Sequence, residues 1–244
     1  MNDPSSASPF VPNADKFICS VLPNSPTKLI SYSKGGLLLK PVANDLQVVT
    51  AYSFLLVVYA QYMQAANKVV NCGSVSASHS TLINLAKSQV DYILGSNPLG
   101  MSYMVGYSQK YPQKIHHRGS VNPSLDQHPQ RMGCRDGDQF FKSDSPNPNV
   151  LVGAVVGGPA QDDSFKDSRY DVGQSEPTTY INAPFVGVLA FFNSNPSLVG
   201  KRKKSTKQRQ RRGAEQAEND QRLRGPVVAE PPSPPEVLVG VGFR

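Results

Sequence analysis

The most informative run of the sequence is Asp162-Asp-Ser-Phe165-Lys-Asp167-Ser-Arg169-Tyr-Asp171-Val-Gly-Gln-Ser-Glu176-Pro177-Thr-Thr-Tyr180-Ile-Asn182-Ala183. Several carboxylates share one loop flanked by Gly and Pro, and the loop leads directly into an apolar run. That run predicts a helix over Asn182–Asn193, with Pro184 near its first turn, where proline is tolerated. Calcium binding is a rival role for the carboxylates, but their spacing does not match an EF-hand loop.

Two further helices are expected upstream of this loop. Apolar residues recur at three- and four-residue spacing over Asn44–Met63, and again over Ser80–Leu94. The first run is apolar on nearly all sides, which predicts burial against other helices. Gly95 is a natural stop for the second helix, and Asn97-Pro98 prevents its resumption. The expected fold class is therefore all-α.

The segment between Gly95 and Ile181 shows little regular periodicity and is dense in Gly, Pro, Asn, Asp, His and Arg. A long segment of this kind inside a compact domain is usually either functional or disordered. Its polar residues lie in tight clusters among Tyr, Met and Phe, which disfavours disorder. We expect ordered active-site loops carried by a helical scaffold.

Charge separates the body of the chain from its end. The 244 residues carry a net charge of +7, of which residues 1–199 contribute +1 and residues 200–244 contribute +6. A nearly neutral body disfavours nucleic acid as the main partner, because phosphate binding needs a concentrated cationic face. It suits a neutral ligand such as a sugar.

The two ends are expected to differ from the helical body. Residues 1–30 are rich in Pro, Ser and Asn and predict a loop-rich segment, whereas residues 198–244 predict a basic, Pro-rich disordered tail. Lys201–Arg212 holds eight basic residues in twelve. A nuclear-localisation or RNA-binding role for that tail is the less favoured alternative to a solvated extension.

Cysteine usage and hydropathy bear on the compartment. Three cysteines allow at most one internal pair, and buried free thiols are the favoured expectation, with a Cys72–Cys134 bridge as the alternative if the protein is exported. We expect no apolar run of the length a membrane span needs. The first residues lack the basic and apolar regions of a signal peptide.

A second cluster, rich in hydrogen-bond donors and aromatic rings, is Ser102-Tyr103-Met-Val-Gly-Tyr107-Ser-Gln-Lys-Tyr-Pro-Gln-Lys-Ile-His116-His117-Arg118. Sugars need both features: charged or amide groups for the hydroxyls, and apolar surface for the ring. Metal binding by His116 and His117 is disfavoured, because neighbours in an extended chain point to opposite sides. No third ligand lies at metal-site spacing either.

The two clusters together resemble the signatures of glycoside hydrolase family nine. Ser102–Arg118 resembles the histidine signature of that family. Phe165-x-Asp167, Glu176-Pro-Thr and Asn182-Ala183 resemble its second signature at the right internal spacing. Further stretches look like plant secreted endoglucanases, namely Gln89-Val-Asp-Tyr-Ile-Leu-Gly-Ser-Asn-Pro98 and Pro148-Asn-Val-Leu-Val-Gly-Ala-Val-Val-Gly-Gly-Pro159. The similarity covers Phe17–Pro196.

This resemblance implies a fold and a reaction. The fold would be a partial (α/α)₆ barrel, with residues 31–197 as the C-terminal part of a catalytic domain that lacks its N-terminal half. The activity would be inverting hydrolysis of internal β-1,4-glucosidic bonds in cellulose or a related cell-wall glucan. No cofactor or metal is implied, and the location would be extracellular or in the cell wall.

The resemblance also implies residue roles. Glu176 would be the general acid, and His116 and Asp167 match the other active-site positions of the signatures. We expect His116 and Arg118 to bind the sugar near the cleavage point, and Asp167 to order the loop or polarise Glu176. The other expected substrate-binding residues are His117, Tyr103, Tyr107 and Tyr180.

Three departures from the family pattern leave alternatives open. Ser108 stands where the family usually has Gly, and Val172 stands where an aromatic residue is usual. The Asp-Ala-Gly-Asp motif that supplies the family's general base is absent, and Arg135-Asp-Gly-Asp138 lies in a different loop. A catalytically inactive fragment, or a remnant that binds glucan weakly, is therefore the alternative to an active hydrolase.

Overall fold

The computed structural model describes residues 10–40 and 45–199. Its helices and strands are, in chain order, α1 (Phe10–Val21), β1 (Ser31–Tyr32), β2 (Leu38–Leu39), α2 (Asp45–Ala65), β3 (Val70–Cys72), β4 (Val75–Ala77), α3 (His79–Ile93), α4 (Arg118–Val121), α5 (Asp138–Lys142), α6 (Val172–Ser175), α7 (Thr179–Ser194) and a 3₁₀ turn (Pro196–Val199). The strands form two antiparallel hairpins, β1–β2 and β3–β4. The described part of the chain is therefore rich in helix.

The three helices expected from apolar periodicity are confirmed as α2, α3 and α7. Helix α2 packs against both of the others. A Cβ atom added at Gly187 of α7 would lie 2.7 Å from the ring of Phe54 in α2, so glycine allows the close approach of these helices. Helix α3 begins with a capping box between Ser78 and Thr81, which satisfies two donors at its first turn.

The prediction of a loop-rich segment over residues 1–30 is wrong for Phe10–Val21, which form helix α1. Pro12 lies in the first turn of α1, where main-chain N–H groups have no hydrogen-bond partner within the helix. The N–H that proline lacks therefore costs no helical hydrogen bond. One side of α1 then buries Ile18 and Val21 in the core. Because a buried apolar face stabilises a helix more than local propensity does, composition alone was a poor guide here.

The cysteine expectations are also wrong. Cys19 of α1 and Cys72 of β3 form a disulfide, with a sequence separation of 53 residues. Cys134 is free and exposed, so neither the Cys72–Cys134 bridge nor a set of buried free thiols is present. Pairing depends on which elements pack together, and α1 was not foreseen.

Contrary to the expectation of no membrane-length apolar run, Leu46–Ala65 is long and apolar enough to cross a bilayer by length and composition alone. Its packing against α3 and α7 is that of a core helix in a folded domain. The same composition arises whenever a helix is surrounded by other helices.

The long segment after α3 is ordered by side chains that bind the main chain. The buried carboxylate of Asp163 accepts hydrogen bonds from Ser33 Oγ and Tyr92 Oη, both at 2.5 Å, and from the Gly35 N–H at 2.7 Å. Asn182 of α7 accepts from the Val155 N–H at 3.0 Å and donates to the Gly153 carbonyl at 2.8 Å. These contacts fix the loops onto the helices. Of the predicted tail, residues 200–244 lie outside the described part.

Candidate active site

Asp167 anchors the loop that leads to the paired histidines. Its carboxylate accepts hydrogen bonds from the main-chain N–H groups of Gln113 and Lys114, each at 2.8 Å. An ionised acceptor makes such bonds stronger than neutral ones. Asp167 therefore joins the two sequence clusters.

His116 contacts the acidic loop at two points. Its main-chain N–H donates to the Ser175 carbonyl at 3.1 Å, and its ring Nδ1 lies 2.7 Å from the Arg169 carbonyl oxygen. A carbonyl oxygen can only accept, so Nδ1 carries the proton in this contact. In the neutral ring Nε2 is then left as an acceptor for another donor, such as a sugar hydroxyl.

Glu176 follows Ser175 directly and ends the short helix α6. Its main-chain N–H donates to the Val172 carbonyl at 3.1 Å, which fixes the backbone at this position. The side chain is half-buried, and its carboxyl makes no hydrogen bond or ion pair within residues 10–40 and 45–199. A carboxyl on a fixed backbone and without a partner in the described part of the chain is available to a ligand.

Arg169 is a buried cation that sequence reasoning did not single out. It is 3% exposed, and its Nε donates to Asn147 Oδ1 at 2.6 Å. Its two terminal nitrogens donate to the carbonyls of Ser143 and Ser145, each at 2.5 Å. Burial lowers the pKa of Arg169, while the charge of Asp167 opposes that shift. The guanidinium group thus fixes the segment around residue 145 to the loop that precedes Glu176.

Asn147 extends this network towards the histidines. Its Nδ2 donates to the Ile115 carbonyl and to Ser120 Oγ, both at 2.9 Å. Ser120 lies in α4, which begins at Arg118. Every polar atom of the Asn147 side chain therefore has a partner, as expected for a buried amide. The residues before and after His116 in the chain, Ile115 and Ser120, are therefore bonded to one connected network.

A cavity of about 460 Å³ opens beside this network, within the size range of small-molecule sites. Its lining residues are His116, His117, Arg118, Val121, Asn122, Met132, Gly133, Cys134, Gly137, Asp138 and Phe141. Three of the expected binding residues lie here, in a wall of imidazole and guanidinium groups. Asp138 was visible in the sequence as part of an acidic string, but only folding brings that string to this cavity.

The predicted tyrosines lie in different environments. The prediction that Tyr103 binds substrate is wrong, because this residue is 0% exposed. Its ring lies parallel to that of Tyr92, with centroids 6.1 Å apart, and edge-on to Phe165 at 5.5 Å. Burial, which is the largest cause, raises the pKa of Tyr103, and the nearby charge of Asp163 adds to the shift. Tyr103 belongs to the core.

Tyr107 and Tyr180 are exposed but are not among the residues that line the cavity. Glu176 and Asp167 do not line it either. The structure thus brings His116, His117 and Arg118 to one cavity and places Asp167 and Glu176 in the adjoining loop.

Phe141 and Tyr170 are aromatic residues that sequence reasoning missed. The ring of Phe141 packs edge-on against His116 at 5.6 Å and against Tyr170 at 5.0 Å between centroids. Phe141 lies in α5, which had no long periodic signal that could have revealed it. The aromatic edge of the cavity thus continues outward to Tyr170.

Comparisons with known proteins identify relatives of this chain. The model of the family described as Glycosyl hydrolase family 9 matches residues 3–189. Endoglucanase 23 of Oryza sativa subsp. japonica is 56% identical over 183 residues, which are 75% of this chain and 36% of that protein. Endoglucanase 4 of Arabidopsis thaliana is 55% identical over 186 residues, which are 76% of this chain and 38% of that protein.

Solved structures show the same relationship. Endoglucanase CelQ from Clostridium thermocellum, complexed with cellobiose and cellotriose, aligns with a TM-score of 0.60 and 28% identity over 82% of this chain and 30% of its own. The endoglucanase of the termite Nasutitermes takasagoensis aligns with a TM-score of 0.62 and 26% identity over 77% of this chain and 37% of its own. The chain spans somewhat more than a third of the length of the plant relatives it matches. By sequence and by structure, the chain belongs to glycosyl hydrolase family 9.

Proposed function

We propose that this chain carries the general-acid side of an endoglucanase that cleaves internal β-1,4-glucosidic bonds of cellulose with inversion. The plant relatives are endoglucanases by name, and CelQ was crystallised with cellobiose and cellotriose. We further propose that α2, α3 and α7 are part of an (α/α)₆ barrel, and that residues 31–197 are the catalytic portion of the chain.

One observation carries the proposal: the main-chain N–H of His116 binds the carbonyl of Ser175, the residue before Glu176. This contact supports a site in which the histidine cluster and the acidic loop act on one ligand. Glu176 would protonate the leaving oxygen, while Nε2 of His116 and the guanidinium of Arg118 would bind sugar hydroxyls. Asp167 would act through the main chain that it anchors, so we assign it a positioning role.

Inversion also requires a second carboxylate on the other side of the sugar, about 6.5–9.5 Å from the acid, to activate water. The Asp-Ala-Gly-Asp motif expected to supply it does not occur in these 244 residues. The second candidate function is that of a glucan-binding remnant without hydrolytic activity. Nucleic-acid binding through residues 201–212 is less favoured, and those residues lie outside the described part of the chain.

The disulfide between Cys19 and Cys72 supports an extracellular location. Disulfides persist in oxidising compartments and are rare in the cytosol. A secreted or cell-wall protein would also meet the proposed substrate directly.

Reducing-sugar release from carboxymethylcellulose tests the proposal. If the chain is a hydrolase, Glu176→Gln should lower the rate by about 10²–10⁴-fold, the usual contribution of general acid–base catalysis. Asp126→Asn is the matched control, because Asp126 is exposed and is not among the residues that line the cavity. ¹H NMR of the products should show the α-anomer first if the reaction inverts.

Two outcomes separate the candidates. Hydrolysis that survives Glu176→Gln would contradict the role of Glu176 as the acid. No hydrolysis by the unmutated chain, together with measurable binding of cellotetraose, would support the glucan-binding remnant.

A further inference from the structure

We propose that Tyr170 is a sugar-stacking residue that binds a glucose unit at the rim of the cavity lined by His116 and Phe141. This inference rests on the proposed function, since it takes β-1,4-glucan as the ligand. It adds a binding residue that the sequence analysis did not assign to the site.

The exposure of Tyr170 is the first observation. Its side chain is 66% exposed, although a tyrosine has a large apolar ring. Single exposed aromatic residues are common and need no explanation by themselves. Tyr62 of α2 is such a case, at 69% exposed. What distinguishes Tyr170 is its attachment to the cavity and the rigidity of its backbone.

The attachment is a chain of ring contacts. Tyr170 packs edge-on against Phe141 with centroids 5.0 Å apart, and Phe141 packs edge-on against His116 at 5.6 Å. Phe141 and His116 both line the cavity. Because Tyr170 meets Phe141 edge-on, the contact leaves ring surface of Tyr170 available to a ligand. No other residue between 168 and 176 has an aromatic ring.

The rigidity comes from the two neighbours of Tyr170 in the chain. Arg169 is buried and bonded to Asn147, and its carbonyl accepts from His116. Asp171 caps α6 by accepting from the Gln174 N–H at 3.4 Å. The backbone on both sides of the ring is therefore fixed before any ligand arrives. A tyrosine has few rotatable bonds, so little conformational entropy remains to be lost on binding.

The chemistry of the ligand matches this surface. A β-linked glucose unit carries its hydroxyls around the ring edge and presents C–H groups on its two faces. One face can lie on the tyrosine ring, while the hydroxyls reach the imidazole and guanidinium groups of His116 and Arg118. Ligand sites commonly combine aromatic walls with a few fixed polar groups in this way.

Titration of cellotetraose followed by NMR or calorimetry tests the inference. Tyr170→Ala should weaken binding by roughly tenfold, as is usual when an aromatic contact residue is truncated. Tyr170→Phe should stay within about twofold, because it keeps the ring. Tyr62→Ala is the matched control, with equal chemistry and exposure on a helix away from the cavity, and should bind like the unmutated chain.

The outcomes distinguish this inference from the proposed function. If the unmutated chain binds cellotetraose and Tyr170→Ala binds it equally well, the stacking role is wrong while glucan binding stands. If the unmutated chain does not bind cellotetraose, both the proposed glucan binding and the stacking role are overturned. A thermal melt of each variant verifies the fold, which an exposed residue should not disturb.

Discussion

The imidazole of His116 is held by the main chain of Arg169, whose carbonyl oxygen lies 2.7 Å from Nδ1. The guanidinium group of the same arginine donates to the carbonyls of Ser143 and Ser145. One residue thus fixes the orientation of the histidine ring and the position of the segment after α5. The cavity wall and the imidazole cannot move independently while these bonds persist.

The first prediction concerns this arginine. Arg169→Lys should lower the free energy of unfolding by about 2–4 kcal/mol, because a single ammonium group cannot replace a planar fork of donors in a buried site. Chemical denaturation measures the loss. Hydrogen exchange should also become faster at residues 141–147, which a general loss of stability would not single out.

Arg118→Lys is the control for that experiment, because Arg118 is exposed at the cavity. The free energy of unfolding of Arg118→Lys should differ from that of the unmutated chain by less than about 0.5 kcal/mol, as for most surface substitutions. Equal stability of the two lysine variants would show that the hydrogen bonds of Arg169 to Ser143 and Ser145 do not stabilise the segment after α5.

The second prediction concerns the pH dependence of stability through Asp163. Burial alone would raise the pKa of Asp163, but hydrogen bonds from Ser33, Tyr92 and Gly35 outweigh burial and lower it below the ordinary value. A carboxyl with a depressed pKa stabilises the fold above its unfolded-state pKa, about 3.9. That contribution is lost as the pH falls from this value through the folded-state pKa.

Asp163→Asn should therefore cost about 2–4 kcal/mol at pH 7, because an amide offers one weaker acceptor in place of a charged carboxylate. The difference between the unmutated chain and the variant should shrink in acid. Urea unfolding between pH 2.5 and pH 7 gives both quantities, with Asp126→Asn as an exposed control. A difference that stays constant with pH would mean that the pKa of Asp163 is the same in the folded and the unfolded state, which would contradict this prediction.

The third prediction concerns the disulfide. Cys19→Ser should destabilise the chain by about 2–4 kcal/mol, because the bond closes a long loop in the unfolded state. Cys134→Ser should have no such effect, since Cys134 is free and exposed. Denaturation with and without a reductant measures the free energy of unfolding of both variants. The reductant should lower the stability of the unmutated chain to nearly that of Cys19→Ser. Insensitivity to the reductant would contradict the pairing.

The long helices were predictable because burial leaves a periodic trace in the sequence. In α2, α3 and α7 the apolar residues repeat at the helical period, so both existence and approximate bounds followed. Helix α1 has Pro12 and several polar residues, and its helical state depends on the packing of its buried side. The pattern of neighbouring residues in the sequence does not reveal such packing.

The candidate site was predictable in part, for a similar reason. His116, His117 and Arg118 were found because they are adjacent in sequence and lie together at the cavity. Asn147 and Arg169 join segments 22 residues apart, and their role depends on burial. Tyr103 was misjudged because a loop has no period that distinguishes an inward ring from an outward one.

The free thiol of Cys134 gives the cavity a natural attachment point for a spectroscopic reporter. The other two cysteines are bonded to each other, so a maleimide dye would label one position without any mutagenesis. Because that position lies in the cavity wall, emission from the dye would respond to occupancy of the site even in a chain that hydrolyses nothing.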